Sequence, residues 1–431
     1  MLKTILLGIL RWFAGAIIKK YNPEVVGITG SIGKTSTKEA VAGVLASRFR
    51  VRANYKNYNN EIGLPLTIIG IEKSPGRSVI GWLVVIIKSF KLLFSKDLNY
   101  PEILVLEMGA DKPGDIKYLV EIAPCRVGVL TYISHAHTEF FKTIKRIAQE
   151  KRIIISHLTA DGTAVLNFDN ALVMENAGVT KAEKITYGFK EGADLRATDV
   201  NILTLPGELL PKGLNFKVTL AGSTVPVFMP GFLSNAIIPA ALAGLAVGTI
   251  YGINLVEGAE ALKKILPLPG HMRPLLGIKK TLIIDDSYNS SPDAVKSALD
   301  VFADLTKNEK GRRYAVLGDM LELGTETASA HREIGFKVVE HGIDFLVTVG
   351  EASKQTAVAA REAGLSDDSI ASFNNSVEAG KFIQEKINEG DQILIKGSQG
   401  SRMEKIVKEI MAEPLQAEKL LVRQDSFWLA K

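Results

Sequence analysis

Short apolar runs alternate with segments of helical periodicity along most of the chain. A short apolar stretch begins at Val25, and similar runs follow at 103–109, 126–133, 164–167, 282–286, 314–319, 345–350 and 392–397. Most of these runs end in a polar residue or a glycine, as strands do where ligands meet the carboxyl edge of a parallel sheet. The pattern predicts an α/β protein whose mainly parallel sheets are covered by helices.

Two breaks in this pattern indicate the domain organisation. Residues 194–230 alternate short strand-like runs with Pro and Gly turns, which predicts a small antiparallel β region. The Leu-Pro-Leu-Pro-Gly segment at 266–270 is the best linker. We predict an amphipathic N-terminal helix, a central parallel-sheet domain with an apolar helical insertion at about 73–100, and a Rossmann-like C-terminal domain. These three parts span residues 1–24, 25–268 and 269–431.

Two apolar segments have helical periodicity but do not suit a membrane-spanning helix. Residues 1–18 carry Arg11 at their centre, and residues 79–94 are fewer than a span needs and include Lys88 and Lys91. A spanning helix needs about 20 apolar residues without a central charge. We predict two amphipathic helices that either bury their apolar faces against each other or lie on a membrane surface.

Composition and charge limit the classes of protein and the cellular compartment that fit this chain. A net charge of +5 suits an enzyme of anionic substrates, and no basic run with interleaved aromatic residues indicates a nucleic-acid partner. The single cysteine, Cys125, excludes a disulfide framework within the chain and a zinc site built from cysteines. We expect a cytoplasmic protein, either free or at the inner face of the membrane through residues 1–20 and 79–94.

The most specific motif is the glycine-rich turn after the first strand. It reads Thr-Gly-Ser-Ile-Gly-Lys-Thr-Ser over 29–36 and leads into a segment of helical periodicity. In this context backbone N–H groups face phosphates, Lys34 supplies a positive charge, and the Thr35 hydroxyl can reach Mg²⁺. The standard pattern has a glycine where this chain has Ile28, whereas Gly30 is present here. This variant indicates a narrower group than the general ATPases.

Three further residues are ambiguous when each is taken alone. Glu107 ends a strand and offers hard oxygen atoms to Mg²⁺, although a strand-end glutamate is more often a solvated edge residue. His137 follows another strand, where a histidine is usually structural. Lys151 lies where an apolar helix is predicted to begin, and such a lysine is usually on the surface. Their order and spacing along the chain favour a functional role for all three residues.

Together the motifs resemble the Mur ligase superfamily of ATP-dependent amide-bond-forming enzymes, and within it the branch that adds D-alanyl-D-alanine. The matching segments, in family order, are 29–35, 59–63, 107–111, 137–139, Lys151, 167–170, 285–292, 318–324, His331 and 396–398. The resemblance covers about residues 25–412. It implies that ATP converts a carboxylate into an acyl phosphate, which an amine then attacks.

The resemblance implies roles for the residues of the central domain. The residues that would hold the phosphates of ATP are Thr29, Gly30, Ser31, Gly33, Lys34, Thr35 and Ser36. Thr35 and Glu107 would bind one Mg²⁺. His137 and Lys151 would bind a second Mg²⁺, because carbamylation turns the lysine into an oxygen ligand. Asn60 would position a phosphate or the acyl group, and Lys34, Asn60, His137 and Lys151 would form the catalytic set.

The resemblance also assigns residues of the C-terminal domain, which would close over ATP and exclude water. Asp286 would bind the nucleotide, and the substrate residues would be Tyr288, Asn289, Lys396 and Ser398. The Pro-Gly-Arg of the family reads Pro-Gly-His-Met-Arg here, so the resemblance implies that either His271 or Arg273 would meet the phosphates. We favour Arg273 for its permanent charge. Near the adenine the family histidine is missing, and Asn235 is out of register by two residues.

The larger departure is at the N-terminus. The D-alanyl-D-alanine-adding branch has a domain that binds the UDP end of its substrate, whereas only 24 residues precede the first strand here. We expect a muramoyl-peptide-type acyl substrate and D-Ala-D-Ala or another amine donor; a lipid-linked muropeptide would suit the two apolar helices. The alternatives are a folylpolyglutamate or poly-γ-glutamate synthase type of ligase, and a catalytically silent nucleotide-binding protein at a membrane.

Overall fold

The computed structural model describes residues 2–55, 58–134, 141, 143–307 and 309–429, with side chains from Thr4 onward. These residues form two compact α/β units. Unit 1 contains Met1–Val200, Asn215–Phe228 and Asn235–Ile265, and unit 2 contains Asn201–Leu214, Met229–Ser234 and Leu266–Lys431. The last change of unit falls at the start of the proline-containing segment 266–270.

The described elements follow in chain order. The strands are β1 Glu24–Thr29, β2 Val51–Ala53, β3 Ile103–Glu107, β4 Val127–Leu130, β5 Thr163–Asn167, β6 Glu183–Gly188, β7 Leu195–Leu203, β8 Gly213–Leu220, β9 Ser223–Pro230, β10 Arg273–Leu276, β11 Leu282–Asp286, β12 Arg313–Gly318, β13 Phe345–Val349, β14 Ile370–Phe373 and β15 Gln392–Lys396. The α-helices are α1 Leu2–Tyr21, α2 Lys34–Leu45, α3 Gly63–Ile69, α4 Val79–Phe94, α5 Asp115–Ile122, α6 Ile144–Lys151, α7 Ile153–Ser156, α8 Ala171–Glu175, α9 Ile238–Ile250, α10 Leu255–Leu262, α11 Pro292–Thr306, α12 Thr327–Glu340, α13 Lys354–Glu362, α14 Ser376–Lys386, α15 Glu404–Ile410, α16 Ala417–Leu420 and α17 Ser426–Leu429.

The nine-stranded sheet has the order β2-β3-β1-β4-β5-β6-β7-β8-β9, and its pairs from β2 to β7 are parallel. β1 lies between β3 and β4, where Ile28 pairs with Glu107 and Thr29 pairs with Leu130. β3 and β4 are buried along their whole length, as their apolar sequences predict. This register brings the loop after β1 beside the carboxyl ends of both neighbouring strands.

The predicted small β region continues this sheet instead of forming a separate one. β7 pairs with β6 in parallel, and β8 and β9 extend the edge. Ala221 and Gly222 both have positive φ angles, 47° and 80°, which is typical of a two-residue type I′ hairpin turn between β8 and β9. Such a turn joins antiparallel strands, so β8 and β9 run in opposite directions at this edge of the sheet.

Unit 2 contains a six-stranded sheet of order β10-β11-β15-β12-β13-β14. β10 is antiparallel to β11, and the other pairs are parallel. β15 enters between β11 and β12, so Asp286 and Lys396 are paired residues at adjacent strand ends. The chain therefore has a mixed α/β fold with a large, mainly parallel sheet and a second sheet, as the apolar pattern predicts.

A buried cluster of charges holds the last part of unit 2. Glu404 is fully buried and accepts hydrogen bonds from Arg402 Nε at 2.6 Å and Arg423 Nη1 at 3.1 Å. Removing one partner of a buried ion pair is strongly destabilising, because the remaining charge is left uncompensated. This cluster ties the start of α15 to the segment that follows α16.

We expect Glu404→Gln to lower the free energy of unfolding by about 3–5 kcal/mol, measured by urea denaturation. Glu389→Gln is the matched control, since its ion pair with Lys280 is exposed to solvent and should contribute little to stability. Equal losses for the two variants would contradict this account.

Both predicted apolar helices form, as α1 and α4. Each buries one face in the core of unit 1, through Leu10, Phe13 and Ile17 on α1 and Val85 and Leu92 on α4. Apolar side chains on the other faces, including those of Trp12 and Ile87, stay exposed. Within the described part of the chain, no helix has both the length and the hydropathy that crossing a membrane requires.

Candidate active site

The glycine-rich loop after β1 is held against the segment that follows β4. Gly33 has a φ of 82° directly before α2, a left-handed conformation that favours glycine. A Cβ on Gly30 would lie 2.0 Å from Thr131 Oγ1, so only glycine allows this approach. Ser31 N donates to Tyr132 O at 2.6 Å, and Thr131 Oγ1 donates to Ile32 O at 2.7 Å. The loop is thus shaped before any ligand arrives.

Lys34 opens α2 and folds back over the loop. Its Nζ donates to Gly30 O at 3.0 Å and to Ser31 O at 3.3 Å. Burial lowers the pKa of Lys34, and the carboxylates of Glu107 and Asp111 oppose that shift. A lysine in this position offers a point charge to a phosphate that the loop and the helix N-terminus surround.

Glu107 is buried at the end of β3 with both carboxylate oxygens engaged. Thr35 Oγ1 donates to Oε2 at 2.9 Å, and Asn59 Nδ2 donates to Oε1 at 2.8 Å. The Glu107 backbone N donates to Asn54 Oδ1 at 2.5 Å. In turn, the buried Lys38 donates to Asn54 O at 2.8 Å. The family resemblance assigns Thr35 and Glu107 to one Mg²⁺ site, and the structure brings these two side chains together.

The described residues contain no group of three or more His, Cys, Asp and Glu side chains that could hold a metal. Mg²⁺ is usually bound by one or two carboxylates, with phosphates and water completing its ligands. The hydroxyl of Thr35 and the carboxylate of Glu107 supply hard oxygen atoms 2.9 Å apart beside the loop. These residues fit one Mg²⁺, while His137, the predicted ligand of a second ion, lies outside the described residues.

A cavity of about 200 Å³ opens beside the loop. Its lining residues are Lys34, Asn59, Asn60, Glu61, Gly109, Ala110, Asp111, Asp115, Tyr118, Leu119 and Lys151. The cavity unites three residues of the predicted catalytic set, Lys34, Asn60 and Lys151. Asn60 Oδ1 also accepts hydrogen bonds from Ile62 N at 3.2 Å and Gly63 N at 2.9 Å, which fixes the start of α3.

Lys151 lies in the cavity wall with its side chain almost wholly buried. It is the last residue of α6 and a short separate helix follows, so it does not begin an apolar helix as predicted. Burial and the nearby charge of Lys34 lower the pKa of Lys151 to about 8. The neighbouring Glu150 turns away and accepts hydrogen bonds from the N–H groups of Gly114 and Ile116.

Sequence reasoning missed Asn54 and Asn59, which position Glu107, and Asp111 and Tyr118, which line the cavity. Asn59 stands inside the matched segment 59–63, so the signature already contained it. Asp111 ends the matched segment 107–111 in the same way. Asn54 and Tyr118 belong to none of the matched segments.

In unit 2 the predicted substrate residues gather at the carboxyl ends of β11 and β15. Lys396 Nζ donates to Asp286 Oδ2 at 2.6 Å and to Asn289 O at 3.0 Å. Ser398 Oγ accepts a hydrogen bond from Leu321 N at 2.9 Å and donates to Ser290 O at 3.3 Å. The Tyr288 ring remains half exposed. These contacts join Asp286, Asn289 and Lys396, three of the five residues assigned to this unit from the 285–292 and 396–398 segments.

Of the remaining predicted nucleotide residues, Arg273 and its alternative His271 lie beside this cluster, whereas Asn235 belongs to unit 1. Arg273 begins β10 and pairs with Asp285 across the sheet. His271, the alternative to Arg273, stacks on Tyr288 with ring centroids 4.5 Å apart. Asn235 starts a short 3₁₀ turn before α9 in unit 1 and is exposed.

The loop and α2 at the carboxyl end of a parallel sheet, with a lysine and a Thr–Glu pair beside them, define an enzyme that uses a nucleoside triphosphate. Family models match two segments, the Mur ligase middle domain at residues 87–239 and the Mur ligase, glutamate ligase domain at residues 272–399. The chain belongs to the Mur ligase family, whose members are ATP-dependent amide ligases.

Individual relatives agree with this assignment. UDP-N-acetylmuramoyl-tripeptide–D-alanyl-D-alanine ligase of Bacillus subtilis is 30% identical over 407 residues, which are 94% of this chain and 80% of that protein. The structure of MurF ligase from Thermotoga maritima in complex with ADP has a TM-score of 0.72 at 26% identity, covering 96% of this chain and 84% of that one. MurF from Acinetobacter baumannii has a TM-score of 0.76 at 23% identity over 92% of this chain and 79% of that one, which shows a shared fold.

Proposed function

We propose that this protein adds D-alanyl-D-alanine to a muramoyl-peptide precursor of peptidoglycan, using ATP and an acyl phosphate. The observation that carries the proposal is the cavity that brings together Lys34, Asn60 and Lys151, with Asn59 of its wall bonded to the Glu107 that pairs with Thr35. The identity to the Bacillus subtilis ligase supports the choice of substrates. A cavity that is polar and charged on several walls suits the transfer of a phosphoryl group to a carboxylate.

The proposed reaction has two steps. A carboxylate oxygen of the muramoyl peptide attacks the γ-phosphorus of ATP, forming an acyl phosphate and releasing ADP. The amine of D-Ala-D-Ala then attacks the acyl carbon, phosphate leaves, and the new amide nitrogen loses a proton. Gly30, Gly33 and the N-terminus of α2 bind the phosphates, together with Thr29, Ser31 and Ser36. Lys34 stabilises negative charge on the transferring group.

Thr35 and Glu107 would hold Mg²⁺, which offsets phosphate charge when it is bound. We further propose that Lys151 is carbamylated and, with His137, holds a second ion. The neutral amine of Lys151 attacks the carbon of CO₂ and loses a proton, so that a cation becomes an anion with two oxygen ligands. The burial of Lys151 supports this step, because a low dielectric disfavours the ammonium form.

In unit 2 we propose that Lys396 and Ser398 bind the carboxylate end of the amine donor, with Tyr288 and Asn289 at the same strand ends. Asp286 holds Lys396 in place through the 2.6 Å ion pair. Arg273 and Asn235 are the proposed contacts of the nucleotide. The permanent charge of Arg273 favours it over His271 for meeting a phosphate.

We also propose that the enzyme works in the cytoplasm, where ATP is present, and contacts the inner face of the membrane through residues 1–20 and 79–94. The exposed apolar side chains of α1 and α4 support this contact.

The proposed function is tested by phosphate release and product mass with each substrate omitted in turn. We expect phosphate release only when ATP, a muramoyl tripeptide and D-Ala-D-Ala are all present, with a product heavier by one dipeptide less one water. Glutamate with a folate acceptor is the control pair for the folylpolyglutamate type of ligase. Release that depends on this control pair, or no release with any pair, would contradict the proposal.

A further inference from the structure

α4 is apolar on two opposite faces. Its inner face buries Val85 and Leu92 in the core of unit 1. Its outer face exposes Val79, Ile80, Leu83, Val84, Ile87, Phe90 and Phe94. A helix on the surface of a soluble domain normally has a single apolar face, and the opposite face is polar. The exposed apolar face of α4 therefore indicates contact with an apolar partner instead of water.

α1 extends this apolar surface. Ile5, Ile9 and Trp12 follow each other at helical spacing and are exposed next to Phe90 of α4. An open groove of about 510 Å³ runs between the two helices, and its walls are Ile5, Gly8, Ile9, Trp12, Phe13, Ile86 and Phe90. We call the exposed apolar residues of α1 and α4 the α1–α4 face. Exposed apolar side chains that line one groove between two packed helices indicate a site of interaction.

The charge of the same segments indicates what the face binds. Residues 1–21 and 70–100 contain nine lysines and arginines and only two acidic residues, Glu72 and Asp97. Their net charge of +7 exceeds the +5 of the whole chain, so the remaining residues together are net negative. Apolar helices with basic flanks bind the anionic surface of a bilayer. Two copies of so basic a surface would repel each other, which disfavours a dimer through this face.

α1 also contacts the wall of the candidate active site. Arg11 lies between the groove residues Ile9 and Trp12, and its Nη2 donates to Glu121 Oε2 at 3.0 Å. The Arg11 guanidinium carbon lies 5.0 Å from the centroid of the Tyr118 ring. Tyr118 and Leu119 of α5 line the cavity that holds Lys34 and Lys151. Within unit 1, a single layer of side chains, those of Arg11 and Tyr118, thus lies between the α1–α4 face and the cavity.

Resting on the ligase function proposed above, we infer that the acyl substrate is a muramoyl peptide joined to a membrane lipid, taken from an anionic bilayer on which the α1–α4 face docks. The peptide carboxylate reaches the cavity past α5, while the lipid stays in the bilayer beside α1. A substrate confined to the membrane meets an enzyme confined to the same surface, which raises the effective concentration of each for the other.

The test compares two substrates that share one muramoyl tripeptide. One is linked to a polyisoprenyl lipid in vesicles of phosphatidylglycerol and phosphatidylcholine, and the other is linked to UDP in solution. Incorporation of labelled D-Ala-D-Ala gives kcat/KM for each substrate with the full chain. We expect kcat/KM for the lipid-linked substrate to be at least about tenfold higher, because docking adds binding energy that the soluble substrate lacks.

Trp12→Glu and Ile87→Glu place a charge on the α1–α4 face at side chains that are 60% and 58% exposed and lie outside the buried core. Each should lower kcat/KM for the lipid-linked substrate by about tenfold or more and release the protein from vesicles in co-sedimentation. Leu415→Glu is the matched control, since Leu415 is 99% exposed in unit 2. This control should leave both values unchanged, and unchanged thermal unfolding of all three variants shows that they fold.

The inference is wrong if the UDP-linked substrate is used as well or better and the two face variants behave like the control. It is equally wrong if the face variants abolish a dimer of the full chain but leave vesicle binding and ligation unchanged. In both cases the ligase function stands, because D-Ala-D-Ala is still incorporated. If neither substrate accepts D-Ala-D-Ala and no phosphate is released, the ligase proposal itself fails and this inference fails with it.

Discussion

Lys34→Ala is expected to lower the rate of substrate-dependent phosphate release by about 10²–10³-fold or more, the loss typical of a charge-stabilising donor in an active site. The reason is the position of the Lys34 side chain. The Lys34 ammonium lies over the phosphate loop and lines the cavity that also contains Lys151. The negative charge that spreads over the transferring phosphoryl group would lose its nearest positive side chain on α2. The measurement is steady-state phosphate release at saturating substrates.

Lys112→Ala is the matched control for this variant, because Lys112 is exposed just before α5 and carries the same charge. It should keep nearly the full rate. Unaltered thermal unfolding of Lys34→Ala would show that the loop still folds. Phosphate release at the normal rate by Lys34→Ala would remove the basis of the enzyme proposal.

Lys151→Ala is expected to cause a loss of similar size, about 10²-fold or more, because the proposed oxygen ligand of a metal disappears. Short carboxylates such as acetate should restore part of the rate in this variant by occupying the space of the carbamate. In the unmodified protein, ¹³C-bicarbonate should give a carbamate signal in NMR that Lys151→Ala lacks. Since the pKa of Lys151 is near 8, that signal should weaken below pH 8, where the amine binds a proton and cannot attack CO₂.

Lys145→Ala provides the control on the same helix, because Lys145 lies on the exposed side of α6. It should keep both the activity and the carbamate signal. An active Lys151→Ala protein, or a signal that persists in it, would contradict the proposed role of Lys151.

The sequence predicts best where one local pattern determines the structure. β1, its glycine-rich loop and α2 follow one another within 25 residues, and their order alone indicates a phosphate site. β10 and β14 read Arg-Pro-Leu-Leu and Ile-Ala-Ser-Phe, and without the continuous apolar run that marks β4 they were not predicted. The boundary at Lys151 was also wrong, because a helix end depends on local capping that apolar periodicity does not reveal.

The rest of the site depends on contacts between distant parts of the chain. Asn54 and Glu107 are 53 positions apart, and Arg11 and Glu121 are 110 positions apart. Nothing near either residue in the sequence specifies its partner. The outer face of α4 is a different case, since periodicity predicts an amphipathic helix but not which of its apolar side chains the core covers.

The hydrogen bonds of Lys34 to its own loop affect the stability of the enzyme when no nucleotide is bound. A buried ammonium without acceptors would destabilise the empty enzyme, but here two backbone carbonyls satisfy it. When a phosphate binds, the Lys34 ammonium replaces these neutral carbonyl acceptors with charged phosphate oxygens, which form stronger hydrogen bonds. The loop therefore keeps its fold without nucleotide, and the nucleotide-induced gain in melting temperature reports the net free energy of binding, of which this exchange of acceptors is one part.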